Sequence, residues 1–123
     1  MTQGGYRLFA YNNKGQDMTV RQDVLEQAKQ IIMVDRSSTH GKPEDNFKRI
    51  ADLWNDYLGI DTIKPHDVGA MMMLLKAARF KANPYHMDNM IDAAGYAACA
   101  AELAMDGRLP RATNMMDIDP KEE

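Results

Sequence analysis

Apolar residues recur three or four positions apart in four segments of the chain, which is the spacing expected of amphipathic α-helices. The first segment should begin at Thr19, because Thr19 and Gln22 have the spacing of a capping box, and it should fade near Asp35–Arg36. The second should begin at about Pro43, a favourable first helical position, and end at Gly59. Two helices are therefore predicted in the first half of the chain.

The other two segments are expected to pack as a central pair. Helix 3 should run from Pro65 to Asn83-Pro84, and because it is apolar on nearly every face it should be central, lie at an oligomer interface, or both. Helix 4 should run from about Pro84 to Met105, and the small residues at 93–101 permit a close helix–helix approach. The pattern predicts an all-α fold, a four-helix arrangement with a central helix 3/helix 4 pair.

The two ends of the chain differ in composition from the helical segments. Residues 1–18 are polar around one short apolar piece, which predicts an N-terminal arm that is either an ordered strand or disordered. Residues 108–123 hold two prolines and an acidic end, which predicts a flexible acidic tail. Residues 19–107 should form a single helical domain.

Charge, hydropathy and cysteine content limit the classes of binding partner and the cellular compartment that the sequence predicts. The formal net charge is −3 and residues 112–123 account for all of it, so the neutral body offers no bulk attraction to DNA or RNA. The sequence contains no run of about 18 apolar residues, the length that would span a membrane. Its first residues lack a signal-peptide pattern. The single cysteine, Cys99, cannot form an internal disulfide, which fits a reducing cytoplasm.

The loop before helix 2 is the first place where side chains could hold a ligand. It contains Arg36, His40 and Lys42 together with three hydroxyl groups, which are groups that bind a phosphate or a sugar edge. The loop also precedes a helix N-terminus, which favours anions. An ordinary solvated loop is the alternative interpretation.

Helix 3 carries the second candidate group. Lys76 and Arg79 are three residues apart and therefore neighbours on one helix face. Buried cations need a partner. The two side chains should either meet a ligand's phosphates, reach solvent, or pair with Asp88 or Asp92.

The start of helix 4 holds the third group, which consists of His86, Asp88, Asn89, Asp92 and Tyr96. At 100° per residue Asn89, Asp92 and Tyr96 share a face. Two carboxylates on one face could bind Mg²⁺ through water, or could hold the cations of helix 3.

Asp67, in the first turn of helix 3, is the further candidate metal ligand beside Asp88 and Asp92. A Mg²⁺ ion is the one cofactor that these residues suggest, and the sequence does not require any cofactor. No histidine–cysteine cluster has zinc-site spacing.

An ordered set of short motifs runs from Ile31 to Leu103. Its members are Arg36, His40-Gly41, Asn46-Phe47, Ile50-Ala51, Leu53-Trp54, Leu58-Gly59, Asp67-Val68, Met71-Met72, Leu74-Leu75-Lys76, Ala78-Arg79, Asp88-Asn89, Asp92 and Gly95-Tyr96-Ala97. This set resembles a family of small uncharacterised phage and prophage proteins. The resemblance implies a phage or prophage origin and supplies no activity.

A more distant likeness is to the MazG-like all-α nucleotide pyrophosphohydrolases. Those enzymes hold Mg²⁺ with an E-x-x-E motif on one helix and an E-x-x-D motif on another. Asp88 and Asp92 lie where the second motif would fall, with a spacing one residue longer, and the first motif is missing. The departure counts against hydrolysis more than against nucleotide binding.

Three functional hypotheses follow. The leading one is a homo-oligomeric binding protein for a phosphorylated, nucleotide-like small molecule, which a phage would use in the cytoplasm of its bacterial host to sequester a nucleotide signal of immunity. The first alternative is an enzyme, a Mg²⁺-dependent nucleoside triphosphate pyrophosphohydrolase. The second is a helical protein-interaction module without a small-molecule site. The sequence leaves open the ligand, binding versus hydrolysis, the oligomer number and any exchange of the N-terminal arm.

Overall fold

The computed structural model describes residues 15–35 and 41–105, except for the side chains of residues 34 and 35. The helices are α1 (Val20–Gln30), which continues into a π-helical turn (Ile31–Asp35), α2 (Pro43–Leu58), α3 (Pro65–Ala82) and α4 (Asp88–Ala104). The predicted all-α, four-helix arrangement is confirmed. The predicted states of residues 1–14 of the arm and of the tail at 108–123 lie outside the described residues.

The beginning of α1 is fixed by the capping box that the sequence predicts. The Thr19 hydroxyl accepts a hydrogen bond from the Gln22 N–H at 3.2 Å, and the Gln22 side-chain oxygen accepts one from the Thr19 N–H at 2.9 Å. Two N–H groups that a helix start leaves without partners are thereby satisfied. Helical backbone then continues through the π-helical turn to Asp35, close to the predicted end.

The link between α2 and α3 is short and held by side chains. Gly59 ends α2 with a φ of 69°, a left-handed conformation that glycine adopts at little cost. The Asn55 side chain donates to the Ile63 carbonyl at 3.0 Å and accepts from the Ile63 N–H at 2.9 Å. At the start of α3, the Asp67 carboxylate accepts from the Lys64 N–H at 2.9 Å. These contacts set the direction in which α3 leaves α2.

Helix α4 starts later than predicted. The sequence pattern places its start at about Pro84, whereas the helix begins at Asp88. The Asn83 side chain accepts from the Tyr85 N–H at 3.2 Å, and the Asn83 carbonyl accepts from the His86 N–H at 3.2 Å. This local turn, of a kind that asparagine favours, occupies the residues that the apolar pattern assigned to the helix.

The α3–α4 pair forms the most extensive helix–helix contact, as predicted. A Cβ atom at Gly69 would lie 2.8 Å from Ala100 Cβ and 3.2 Å from the Tyr96 carbonyl oxygen, so the two helices touch along their backbones. On another side of α4, a Cβ at Gly95 would lie 3.0 Å from a methyl group of Ile32. The small residues thus permit close approach on two sides of α4.

A compact core joins α2 to this pair. Its buried residues are Phe47, Ala51, Val68, Tyr96 and Cys99. Helix α3 contributes only its inner face to this core, because its opposite face leaves Met71, Leu74 and Leu75 exposed by 44%, 70% and 42%. Helix α3 is thus central through its pairing with α4 but is not buried on every apolar face in the single chain, and an oligomer interface on the exposed face stays a prediction. None of the helices in the described ranges is long and apolar enough to cross a membrane.

Candidate functional site

A groove of about 340 Å³ lies between the N-terminal half of α2 and the α3–α4 pair. Its lining residues are Gly41, Pro43, Asn46, Phe47, Arg49, Ile50, Met72, Tyr96 and Cys99. The volume falls in the range of small-molecule sites, which are mostly apolar concavities with a few polar groups.

The floor of the groove is aromatic and apolar. The Phe47 and Tyr96 rings pack against each other with centroids 6.1 Å apart and a tilt of 31°. These two residues and Cys99 are at least nine-tenths buried, so the core fixes their positions. Met72 of α3 adds a thioether, which adapts to flat partners. The floor is therefore a rigid surface suited to a planar, weakly polar group.

The α2 side of the groove supplies its polar groups. Asn46 and Arg49 are three residues apart on α2, and both line the groove. Gly41, with a φ of 79°, and Pro43 lead the chain into the first turn of α2 at the same place. Lys42 lies between them and is exposed. Arg49 and the first turn of α2, where the helix dipole is positive, thus both border the groove, and the exposed Lys42 precedes that turn.

Lys76 and Arg79, the two cations of α3 that the sequence singled out, have different surroundings. Lys76 Nζ lies 2.9 Å from a carboxylate oxygen of Asp92 on α4, and the two side chains are 14% and 32% exposed. Pairing with Asp92 was one of the alternatives expected for Lys76, and it is the one found. Arg79 is exposed. Neither cation lines the groove.

The candidate residues at the start of α4 lie apart from the groove. His86 Nε2 lies 3.7 Å from an Asp88 carboxylate oxygen, and both side chains are more than half exposed. Asn89 is buried, with 7% of its surface exposed. Of the predicted ligand-binding residues on α4, Tyr96 alone lines the groove.

The expected metal ligands are not brought together. The Gly69–Ala100 and Lys76–Asp92 contacts show that α3 and α4 run antiparallel, so Asp67 and Asp88 lie at opposite ends of the pair. Across residues 15–35 and 41–105, no three histidine, cysteine, aspartate or glutamate side chains gather where a metal ion could bind. The set Asp67, Asp88 and Asp92 therefore does not form one Mg²⁺ site within the chain.

Sequence reasoning missed most of the groove. Phe47, Met72 and Cys99 have the spacing of core residues, and nothing in the sequence marks them as also lining a cavity. Asn46 and Arg49 carried a detectable signal, because they are polar residues on one edge of the apolar stripe of α2, close to its N-terminus. Arg36 and His40, which were predicted to contact a ligand, lie outside the described residues.

Comparison with known proteins places the helical domain in a family. The family described as a domain of unknown function, DUF6378, matches residues 23–104, which include α2, α3 and α4 in full. The chain belongs to this family. Similar relatives include two phage proteins, each named Gene 55 protein. The relative from Mycobacterium phage L5 is 38% identical over 96 residues, which are 76% of this chain and 62% of that protein.

The relative from Mycobacterium phage D29 is 40% identical over 82 residues, which are 67% of this chain and 54% of that protein. The chain thus spans between half and two thirds of the length of these relatives. No solved structure matches the chain with significant similarity. The predicted membership in an uncharacterised phage protein family is confirmed.

Proposed function

We propose that this protein binds a phosphorylated, nucleotide-like small molecule in the groove beside α2. The observation that supports this proposal is the combination of an aromatic floor with the Arg49 side chain and the N-terminus of α2 around one concavity of about 340 Å³. A nucleotide has matching parts, because a flat base prefers an apolar or aromatic surface and a phosphate prefers cations and helix N-termini.

In the proposed complex the base lies over Met72 and the Phe47–Tyr96 pair, and the phosphate lies beside Arg49 and the first turn of α2. The planar guanidinium can donate two parallel hydrogen bonds to a phosphate. The sequence led us to expect the ligand between helices 3 and 4 and the Arg36–Lys42 loop. The contact at Gly69 leaves no space between α3 and α4 at that point, and the groove is bordered instead by α2, by Gly41 at the end of that loop, and by Met72 and Tyr96 of the helix pair.

We prefer nucleotide binding to nucleotide hydrolysis as the activity of this protein. The Mg²⁺-dependent alternative needs several carboxylates around the phosphates, and Asp92 is already engaged with Lys76. Membership in a phage protein family supports a role in which the protein sequesters a nucleotide signal of its host. No release of product is required for such a role.

The test is a calorimetric titration of the full chain with linear and cyclic nucleotides, with inorganic phosphate as the reference anion. At least one nucleotide should bind, and Arg49→Gln should weaken its binding by about tenfold or more, because a charge-assisted hydrogen bond contributes about 1.5–3 kcal/mol. Arg21→Gln is the matched control, since Arg21 is exposed on α1 and does not line the groove; it should leave the affinity unchanged.

Two outcomes would overturn the proposal. If no nucleotide in the panel binds, or if Arg49→Gln and Arg21→Gln have equal effects, the groove is not a phosphate site. If the protein with added Mg²⁺ instead releases pyrophosphate or phosphate from a nucleotide, and Asp92→Asn stops that release, the protein is an enzyme.

A further inference from the structure

The face of α3 turned away from the core is apolar and has no partner among the described residues. Leu74 at its centre is 70% exposed and Met71 is 44% exposed. Ala70, Ala77 and Ala78 are exposed beside them. Apolar side chains that recur along one helix face gain free energy when a second surface covers them.

The spacing on this face fits another helix. Asp67, Met71, Leu74, Ala78 and Lys81 follow one another at intervals of four, three, four and three residues, which is the pattern of a coiled-coil seam. The alanines keep the seam narrow, so that a second helix can approach closely.

The charges on the seam specify the partner and its direction. Asp67 lies seven residues before Leu74, and Lys81 lies seven residues after it. A second α3, running antiparallel about a two-fold axis beside Leu74, brings each Asp67 to the Lys81 of the other copy. A parallel partner would instead place Asp67 on Asp67 and Lys81 on Lys81, which is repulsive.

We propose that this face is the interface of a symmetric homodimer in which two α3 helices pack antiparallel, centred on Leu74. Leu74 packs against Leu74 of the second copy, and two Asp67–Lys81 ion pairs close the ends of the seam. The inference does not depend on the ligand groove, because no residue of the seam lines that groove. Met72, which does line it, is next to Met71 of the seam in sequence.

The first test is sedimentation equilibrium of the full chain without nucleotide. The native protein should sediment as a dimer, and Leu74→Glu should weaken dimerisation by at least about tenfold, because it places two carboxylates at the centre of the interface. Leu53→Glu is the matched control, since Leu53 is 60% exposed on α2 and should leave the dimer intact. Circular dichroism should show unchanged helix content in both variants. A monomeric native protein, or equal effects of the two variants, would overturn the proposal.

The second test is cross-linking with a short bis-maleimide, which determines the direction of the helices. Leu74→Cys lies beside the proposed axis, so its two copies should cross-link efficiently. Ala82→Cys lies eight residues from the axis, so its copies would be roughly 24 Å apart along the helices and should not react. Efficient cross-linking of Ala82→Cys would require a parallel pair and contradict the proposal. The native chain is the background control, because its single cysteine, Cys99, is buried.

Discussion

At the scale of single residues, Gly69 determines how closely α3 and α4 approach. The nearest neighbours of a Cβ at this position are Ala100 and the backbone oxygen of Tyr96, none of which can rotate away. The helices would have to separate to admit even one methyl group. The residue is therefore required for packing and not for a special backbone conformation.

Gly69→Ala should lower the free energy of unfolding by about 1–2 kcal/mol, because overpacking of about 1–3 kcal/mol outweighs the better helix propensity of alanine. Gly95→Ala is the control, since its new methyl group meets one side-chain atom, a methyl group of Ile32 at 3.0 Å, and no backbone atom of another helix. It should change stability little or raise it. Urea denaturation of both variants measures the difference, and equal effects would contradict the assigned role of Gly69.

A second residue-scale feature is the half-buried Lys76–Asp92 pair. Asp92→Asn removes the charged partner of Lys76, whose side chain is 14% exposed, and should cost about 1–3 kcal/mol of stability. The exposed Lys48–Asp52 pair, with side chains 68% and 59% exposed, is the comparison. Asp52→Asn should cost less than about 0.5 kcal/mol. Thermal unfolding at neutral pH separates the two cases, and an Asp92→Asn protein as stable as the native one would show that solvent already screens Lys76.

At the scale of elements, the side chain of Asn55 connects α2 to the start of α3. It satisfies both backbone groups of Ile63, so Asn55→Ala should leave a donor and an acceptor without partners and cost about 1–3 kcal/mol. Asp56→Ala is the neighbouring control and should be neutral or slightly stabilising, since it removes a negative charge from a helix C-terminus. Chemical denaturation tests this prediction, which fails if the two substitutions have the same effect.

The element boundaries show what the sequence could and could not predict. The start of α1 at Thr19, the start of α2 at Pro43 and the end of α2 at Gly59 depend on local backbone chemistry, and all three were predicted. The start of α4 was not, because the Asn83 side chain forms a turn that competes with the helix. Hydrophobic spacing contains no information about such a side-chain contact.

At the scale of the whole molecule, the groove was the least predictable feature. Tyr96 was expected to contact a ligand and Lys42 to meet a phosphate, and the structure places both at or beside the groove. Phe47, Met72 and Cys99 come from three helices, and they line one cavity only because of how those helices pack. Lys76 was expected to meet a ligand, reach solvent, or pair with Asp88 or Asp92, and the antiparallel packing of α3 and α4 places it against Asp92.

The two proposals concern different surfaces of the molecule and can succeed or fail separately. The groove lies between α2 and the α3–α4 pair, whereas the dimer face lies on the outer side of α3. Loss of nucleotide binding in Arg49→Gln should therefore leave sedimentation unchanged. Leu74→Glu, which should dissociate the dimer, should likewise leave the nucleotide affinity of the groove at Arg49 unchanged.

The packing on the two sides of α3 also has a mechanical consequence. At Gly69 the backbones already touch, so compression can remove almost no volume there. The groove beside α2, of about 340 Å³, is open to solvent and is therefore not an internal void. Because hydrostatic pressure acts on internal voids, neither side of α3 should give way at moderate pressure, whether the groove is occupied or not.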